Sequence, residues 1–92
     1  MLTFAALVGL DVAEAFLALR RNRDIASLAK RLFKVFTEAG MLTGALTALA
    51  YIRESADTGT LRVDDLEAVR RFLRRAERQP ELAFVPPPAE PR

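Results

Sequence analysis

Ninety-two residues limit the chain to one domain with a thin core, yet 51% of them are hydrophobic, enough to fill one. Against 12 acidic side chains stand 14 basic ones, so the net charge of +2 lacks the clustered excess of an obligate nucleic-acid binder. Neither cysteine nor histidine occurs, which removes disulfides, the usual metal ligands, thiol nucleophiles and the commonest proton shuttle.

The first helix is predicted over residues 3–21. At 100° per residue its apolar side chains surround most of the axis: Phe4, Leu7, Val8, Leu10, Val12, Phe16, Leu17 and Leu19. Asp11, Glu14 and Arg21 leave only a narrow polar stripe, and a helix of this kind needs cover on more than one side. A membrane span is disfavoured by Asp11 and Glu14, each costing about 2.5–3.5 kcal/mol near a bilayer centre. A secretory signal is disfavoured because Arg20 and Arg21 follow the apolar run instead of preceding it. The expectation is a buried helix of a soluble protein, with the cytoplasm as the default compartment.

Asn22-Arg23-Asp24 reads as a turn, with Asp24 as N-cap of a second helix. Ile25, Leu28, Ala29, Leu32, Phe33, Val35, Phe36 and Ala39 spread over an arc of about 160°, enough to meet two neighbours. Gly40 stands where a helix ends on a left-handed residue. Thr43 is the expected cap of a third helix, which runs to residue 56 through Leu46, Leu49, Tyr51 and Ile52. Asp57-Thr58-Gly59-Thr60 breaks the chain. A fourth helix over 61–78 buries Leu66, Val69, Phe72, Leu73 and Ala76. Its Asp64, Asp65 and Glu67 complement the N-terminal dipole, and Arg74, Arg75 and Arg78 the C-terminal one. Pro80 stops it. The helical domain therefore spans 1–79, and an extended, proline-rich tail spans 80–92. Leu82, Phe84 and Val85 could lie back on the bundle, while Pro86-Pro87-Pro88 and the last four residues read as polyproline or disordered chain.

A period of twenty residues is visible: Phe16, Arg20, Ile25, Ala29 and Leu32 recur as Phe36, Gly40, Ala45, Leu49 and Ile52. The second set resembles the heart of a tetratricopeptide repeat, with an aromatic late in one helix, glycine in the turn and a small residue early in the next. Glycine permits the tight turn, and the small side chain lets the helices lie close. In the first set Arg20 replaces the glycine and Ile25 the alanine. More of the chain is similar to the C-terminal end of larger bacterial tetratricopeptide-repeat proteins. The likeness rests on Ala6-Leu7-Val8-Gly9-Leu10-Asp11-Val12-Ala13, Ser27-Leu28-Ala29-Lys30-Arg31, Phe36-Thr37-Glu38-Ala39-Gly40, Ala45-Leu46-Thr47-Ala48-Leu49, Arg71-Phe72-Leu73-Arg74-Arg75-Ala76 and Gln79-Pro80-Glu81-Leu82-Ala83-Phe84. Some of those proteins carry an N-terminal DNA-binding or anti-sigma-like domain. The resemblance implies an all-α stack of four helices in consecutive antiparallel hairpins, a regulatory interaction role, and no catalytic, cofactor or metal site. The family usually has an acidic residue or glutamine where Gly44 stands, which implies a looser start to the third helix.

Charged constellations add little chemistry. Asp64 and Asp65 are adjacent and point about 100° apart on a helix, so they do not converge on one substrate. Asp11 and Glu14 share a side of the first helix, suited to an ion pair with Arg21 or another basic neighbour. Arg70, Arg71, Arg74, Arg75 and Arg78 form a basic face, but Glu67 and Glu77 lie among them and no aromatic interleaves as a stacking platform. The segment Gly40-Met41-Leu42-Thr43-Gly44 lacks the spacing and lysine of a phosphate-binding loop.

The first helix carries the functional expectation. It begins the sequence with no polar cap before it, so either preceding repeats of a longer protein or another copy would cover its face. Burying 600 Å² of apolar surface contributes on the order of 15 kcal/mol before entropic costs. Phe4, Leu7, Leu10 and Leu17 are the expected association face, and Arg70, Arg74 and Arg78 a secondary polar surface. The expected partner is a second copy of the chain or another protein. The alternatives are a structural self-assembling repeat protein and, less favoured, a nucleic-acid-binding module using the arginines.

Overall fold

The computed structural model describes residues 2–40 and 43–87, with side chains from Phe4 onward. It is all-helical, with four helices and no strand among the described residues: α1 Leu2–Ala18, α2 Asn22–Glu38, α3 Thr43–Asp57 and α4 Val63–Arg78.

Their ends follow from local chemistry. Arg21 is the N-cap residue of α2, and Asp24 lies inside the first turn, so the expected Asp24 cap is corrected. Asp24 still acts there: its carboxylate accepts from Arg21 Nε at 2.5 Å and adds negative charge at the helix's positive end. Leu61, expected in the fourth helix, precedes it and is buried, and α4 begins two residues later after Arg62 in extended backbone. The start is set by Asp65, whose Oδ2 accepts the Arg62 backbone N–H at 2.9 Å. Thr43 is the first residue of α3, and the two residues before it lie outside the described ones.

Arg20, Gly40 and Gly59, following α1, α2 and α3, all have positive φ, at 57°, 76° and 73°. After α1 and α3 the bonding is the same. Arg21 N–H donates to Phe16 C=O at 2.9 Å and Arg20 N–H to Leu17 C=O at 3.0 Å. Thr60 N–H donates to Ser55 C=O at 2.9 Å and Gly59 N–H to Ala56 C=O at 3.1 Å. Both are the double hydrogen bond that closes a helix on a left-handed residue. Arg20 and Gly40, twenty residues apart, share the positive φ and a bond from their N–H to the carbonyl three residues back, so this part of the twenty-residue period is a repeated turn in which Arg20 adopts a conformation that favours glycine.

Packing makes a ring. Each helix touches the next, the α2–α3 pair most extensively, and α1 also packs against α4. Among the described residues the diagonals α1–α3 and α2–α4 do not come within 8 Å between Cα atoms. An open row of hairpins leaves its first and last helices apart, so the closure of α1 on α4 departs from the expected stack. Its physical reason is the width of the apolar arc on α1, which one neighbour does not cover. The shared core is made by Leu10 and Ala13 of α1, Ile25, Ala29 and Phe36 of α2, Leu49 and Ile52 of α3, and Leu66, Val69 and Leu73 of α4.

The chain after α4 completes this core. Phe84 is buried, its ring 5.3 Å from that of Phe72 in an edge-on arrangement and 5.5 Å from that of Tyr51. Leu82 packs beside it, while Val85 points away into solvent. Gly44 makes this possible: a Cβ there would stand 2.4 Å from the Leu82 carbonyl oxygen and 2.9 Å from Phe72 Cζ. Far from loosening α3, the glycine admits a second layer of chain. Phe84 therefore belongs to the core and Leu82 packs against it, although Pro80 marks the expected start of the tail. Residues 88–92, with the last proline of the triplet, lie outside the described ones.

Candidate interaction surface

Helix α1 turns one face inward and leaves another bare. Small residues mark the inner face: Ala6 and Ala13 are buried beside Leu10, which lets α1 lie close to its neighbours. On the opposite side Phe4 is 68% exposed, Val8 45%, Val12 40% and Leu19 66%. Ala15, also exposed, stands between the last two. Residues 4, 8, 12, 15 and 19 fall within roughly 80° of arc, so they form one continuous line along the helix.

The four residues expected to make an association face separate. Phe4 is on the exposed line. Leu7 and Leu17 are half-buried against the core. Leu10 is only 3% exposed and is spent on the core, which corrects its assignment to an outward face. Val8, Val12 and Leu19 take the vacated places. The signal that finds them is the spacing of Ala6, Gly9 and Ala13, which marks the close-packed side and leaves the line beginning at Phe4 opposite it.

One charged pair borders the exposed line. Asp11 Oδ1 accepts from Arg70 Nη2 at 2.7 Å, tying α1 to α4. Its partner is thus neither Arg21 nor a residue of its own hairpin. Arg70 also donates to Glu67, and its side chain is only 16% exposed against 72% for Asp11. Two anions and partial burial withdraw Arg70 from the expected polar surface, whereas Arg74 and Arg78 stand in solvent with Arg71 and Arg75. Three more arginines, Arg20, Arg21 and Arg23, are exposed just beyond the C-terminal end of α1, with Arg21 stacked on the Phe16 ring at 5.1 Å.

Elsewhere the surface offers less. A groove of about 330 Å³ between α2 and α3 has Ala29, Phe33, Leu49 and Ala50 as its apolar lining and Arg53, Glu54 and Asp57 at its rim. Arg53 and Asp57 face each other at 4.0 Å, so the rim balances its own charge. Asp65, expected to serve a helix dipole, is buried and holds both the Arg62 N–H and the Tyr51 hydroxyl, the latter at 2.9 Å. Burial first, and then the bond to the Asp65 carboxylate, raise the Tyr51 pKa above its ordinary value. Among the described residues no group of acidic side chains gathers as a metal site, and no helix is long and apolar enough to cross a membrane.

The class these observations define is a small all-α domain of four helices with an exposed apolar line on α1. Comparison with known protein families, with curated proteins and with solved structures gives no match to this chain.

Proposed function

We propose that this domain is a non-catalytic protein–protein interaction module that associates with itself through the outer face of α1. The observation that carries the proposal is the alignment of exposed Phe4, Val8 and Val12 along one helix already packed on two others, with Leu19 just past its end. Four such side chains expose on the order of 400 Å² of apolar surface, the range of the largest patch on a monomer and often a functional one. Two copies burying these lines remove about 800 Å² from water, a gross gain near 20 kcal/mol. Lost translational, rotational and side-chain freedom costs about 4–15 kcal/mol or more, so most of that gain is offset, and the buried area stays below the roughly 1,200 Å² at which standard interfaces begin.

The tetratricopeptide resemblance supports the same role more narrowly. Phe36, Ala45, Leu49 and Ile52 are buried where α2 meets α3, around the left-handed Gly40. That hairpin has the repeat's logic, while the α1–α4 closure does not, so the likeness bears on one hairpin and not on an extended array. The arginines Arg71, Arg74, Arg75 and Arg78 are a secondary, solvated surface.

Light scattering over a dilution series tests the proposal. The chain should approach twice its 10.2 kDa mass at high concentration, and Val8→Asp and Val12→Lys should hold it at the monomer mass with unchanged helical circular dichroism. A wild-type chain that stays monomeric at every concentration overturns self-association. Steeply salt-dependent binding of single- or double-stranded oligonucleotides, lost in Arg74→Gln and Arg78→Gln, would favour the nucleic-acid reading instead.

A further inference from the structure

Independently of α1, we infer that residues 80–87 are a latch that opens while the four helices stay folded. Closed, the latch hides the seam between α3 and α4. Open, it presents the rings of Tyr51 and Phe72 as a second apolar surface.

The way the segment is held supplies the first reason. Beyond Gln79 it forms neither helix nor strand. Among the described residues its one backbone hydrogen bond runs from Leu82 N–H to Gln79 C=O at 3.0 Å, a turn within the segment itself. No backbone bond ties residues 80–87 to α3 or α4 among the described residues, so side chains hold the latch. Phe84, 8% exposed, lies against Tyr51 and Phe72, and Leu82 is half-buried. Ala83 and Val85, on either side of Phe84, are exposed. Beside the close contact at Gly44, a groove of about 340 Å³ separates Thr43 and Thr47 from Pro80, Glu81 and Ala83. Two anchoring side chains without a backbone ladder make a small unit, and such units open at a fraction of the free energy of global unfolding.

The seam that the latch leaves behind supplies the second. Of the neighbouring helix pairs, α3 and α4 touch each other least, and each is fixed elsewhere. Helix α3 lies along α2, the most extensive pair, and α4 packs on α1, where Arg70 meets Asp11 at 2.7 Å. Tyr51 donates to Asp65 Oδ1 at 2.9 Å, and the other oxygen of Asp65 holds the Arg62 N–H at 2.9 Å. None of these bonds involves residues 80–87. Withdrawal of Phe84 therefore bares the two rings without releasing the helices that carry them.

Native-state proteolysis with chymotrypsin reads the opening in the full, unaltered chain. The protease cuts after leucine and phenylalanine and needs several residues of free, extended chain. Residues 80–87 supply these once Phe84 leaves the seam, whereas Phe36 and Leu49 are buried within helices. Initial cleavage after Leu82 or Phe84, identified by mass, should be about ten-fold or more faster than cleavage after Phe36 or Leu49, because cutting tracks the open population. Urea should accelerate the latch cut with a slope no more than about a third of that for the helix cuts, since opening exposes far less surface than unfolding. The latch cut should also be about ten-fold or more slower than in a free peptide of residues 79–87, since the closed state protects it. Equal rates and equal urea slopes at the latch and in the helices overturn the inference, because the segment then leaves only when the domain unfolds. Cleavage as fast as in the free peptide also overturns it, because the seam is then never closed.

Discussion

Two faces of the bundle began with the same problem and ended differently. On the α3–α4 side, apolar surface is covered within the chain: residues 82–84 fold back, and Phe84 enters between Tyr51 and Phe72. On the α1 side no described segment folds back, and Phe4, Val8, Val12 and Leu19 remain in solvent. The difference teaches that exposed apolar surface is not a failure of this chain to supply cover, since cover is supplied where Gly44 makes room for it.

The comparison breaks most sharply on two phenylalanines. Phe84→Ala removes a buried ring with two aromatic neighbours and should cost about 3–5 kcal/mol, a large share of the roughly 5–14 kcal/mol expected for a domain of this size. Phe4→Ala, on the open face, should change the stability of the monomer by no more than about 0.5 kcal/mol while weakening association. Urea denaturation at low protein concentration reads the first effect, and the concentration dependence of the midpoint reads the second. Equal costs for the two at low concentration would show that the faces are not different in kind.

Gly44→Ala tests how the closed face is closed. The new methyl group meets the Leu82 carbonyl, which belongs to backbone and cannot rotate away. Residues 82–84 must shift or leave, at an expected cost of about 1–3 kcal/mol. Hydrogen exchange should rise in Leu82 and Phe84 and in the α3–α4 seam, with α1 and α2 unaffected. A Gly44→Ala variant as stable as the parent would mean that the strap is not seated where its packing places it.

Much of this was legible in the residues. Apolar periodicity marks all four helices, and Gly40 and Gly59 mark two of the turns, because glycine at a helix end has a local cause. The remaining turn was read too late, at Asn22-Arg23-Asp24, since Arg20 hides the left-handed position behind a side chain that rarely takes one. The exposed line on α1 was half legible. Its helix was readable as over-supplied with apolar residues, but which of them face inward depends on α4 closing the ring, a contact between residues 59 positions apart. An outward Leu10 fails because the side chain shares its space with Ile25 and Ala29 of α2 and with Leu49 and Ile52 of α3. Phe84 is similar: adjacent prolines suggest tail, and only the space over Gly44 makes it core.

Arg20 carries that lesson into a measurement, and its effect is smaller. Left-handed backbone costs an L-residue about 1–2 kcal/mol, and glycine returns part of this through greater freedom in the unfolded chain, about 0.5–1 kcal/mol. Arg20→Gly should therefore stabilise the domain by roughly 0.5–1 kcal/mol, whereas Gly40→Ala and Gly59→Ala should each destabilise it. Among the described residues neither glycine has a neighbour for an added Cβ to strike, so the two substitutions report the backbone conformation.

The smallest effect tunes the closed face without disturbing its shape. Tyr51 is the chain's one tyrosine and no tryptophan is present, so ultraviolet absorbance follows its ionisation without interference. Its hydroxyl donates to Asp65 Oδ1 and its ring supports Phe84. Burial, and then the Asp65 carboxylate, disfavour the phenolate, so the folded pKa lies above the unfolded value near 10. The sign follows from linkage: the folded state resists losing a proton that the unfolded chain gives up more readily. This contribution is complete below about pH 10 and is lost as pH rises through the folded value. Stability should fall over that alkaline interval in the parent chain. In Tyr51→Phe, which forfeits one hydrogen bond worth about 0.5–1.5 kcal/mol, the part of the alkaline decline owed to this group should disappear. A phenolate that forms at its ordinary pH in the folded protein would place Tyr51 in water, and with it the Phe84 ring that rests against it.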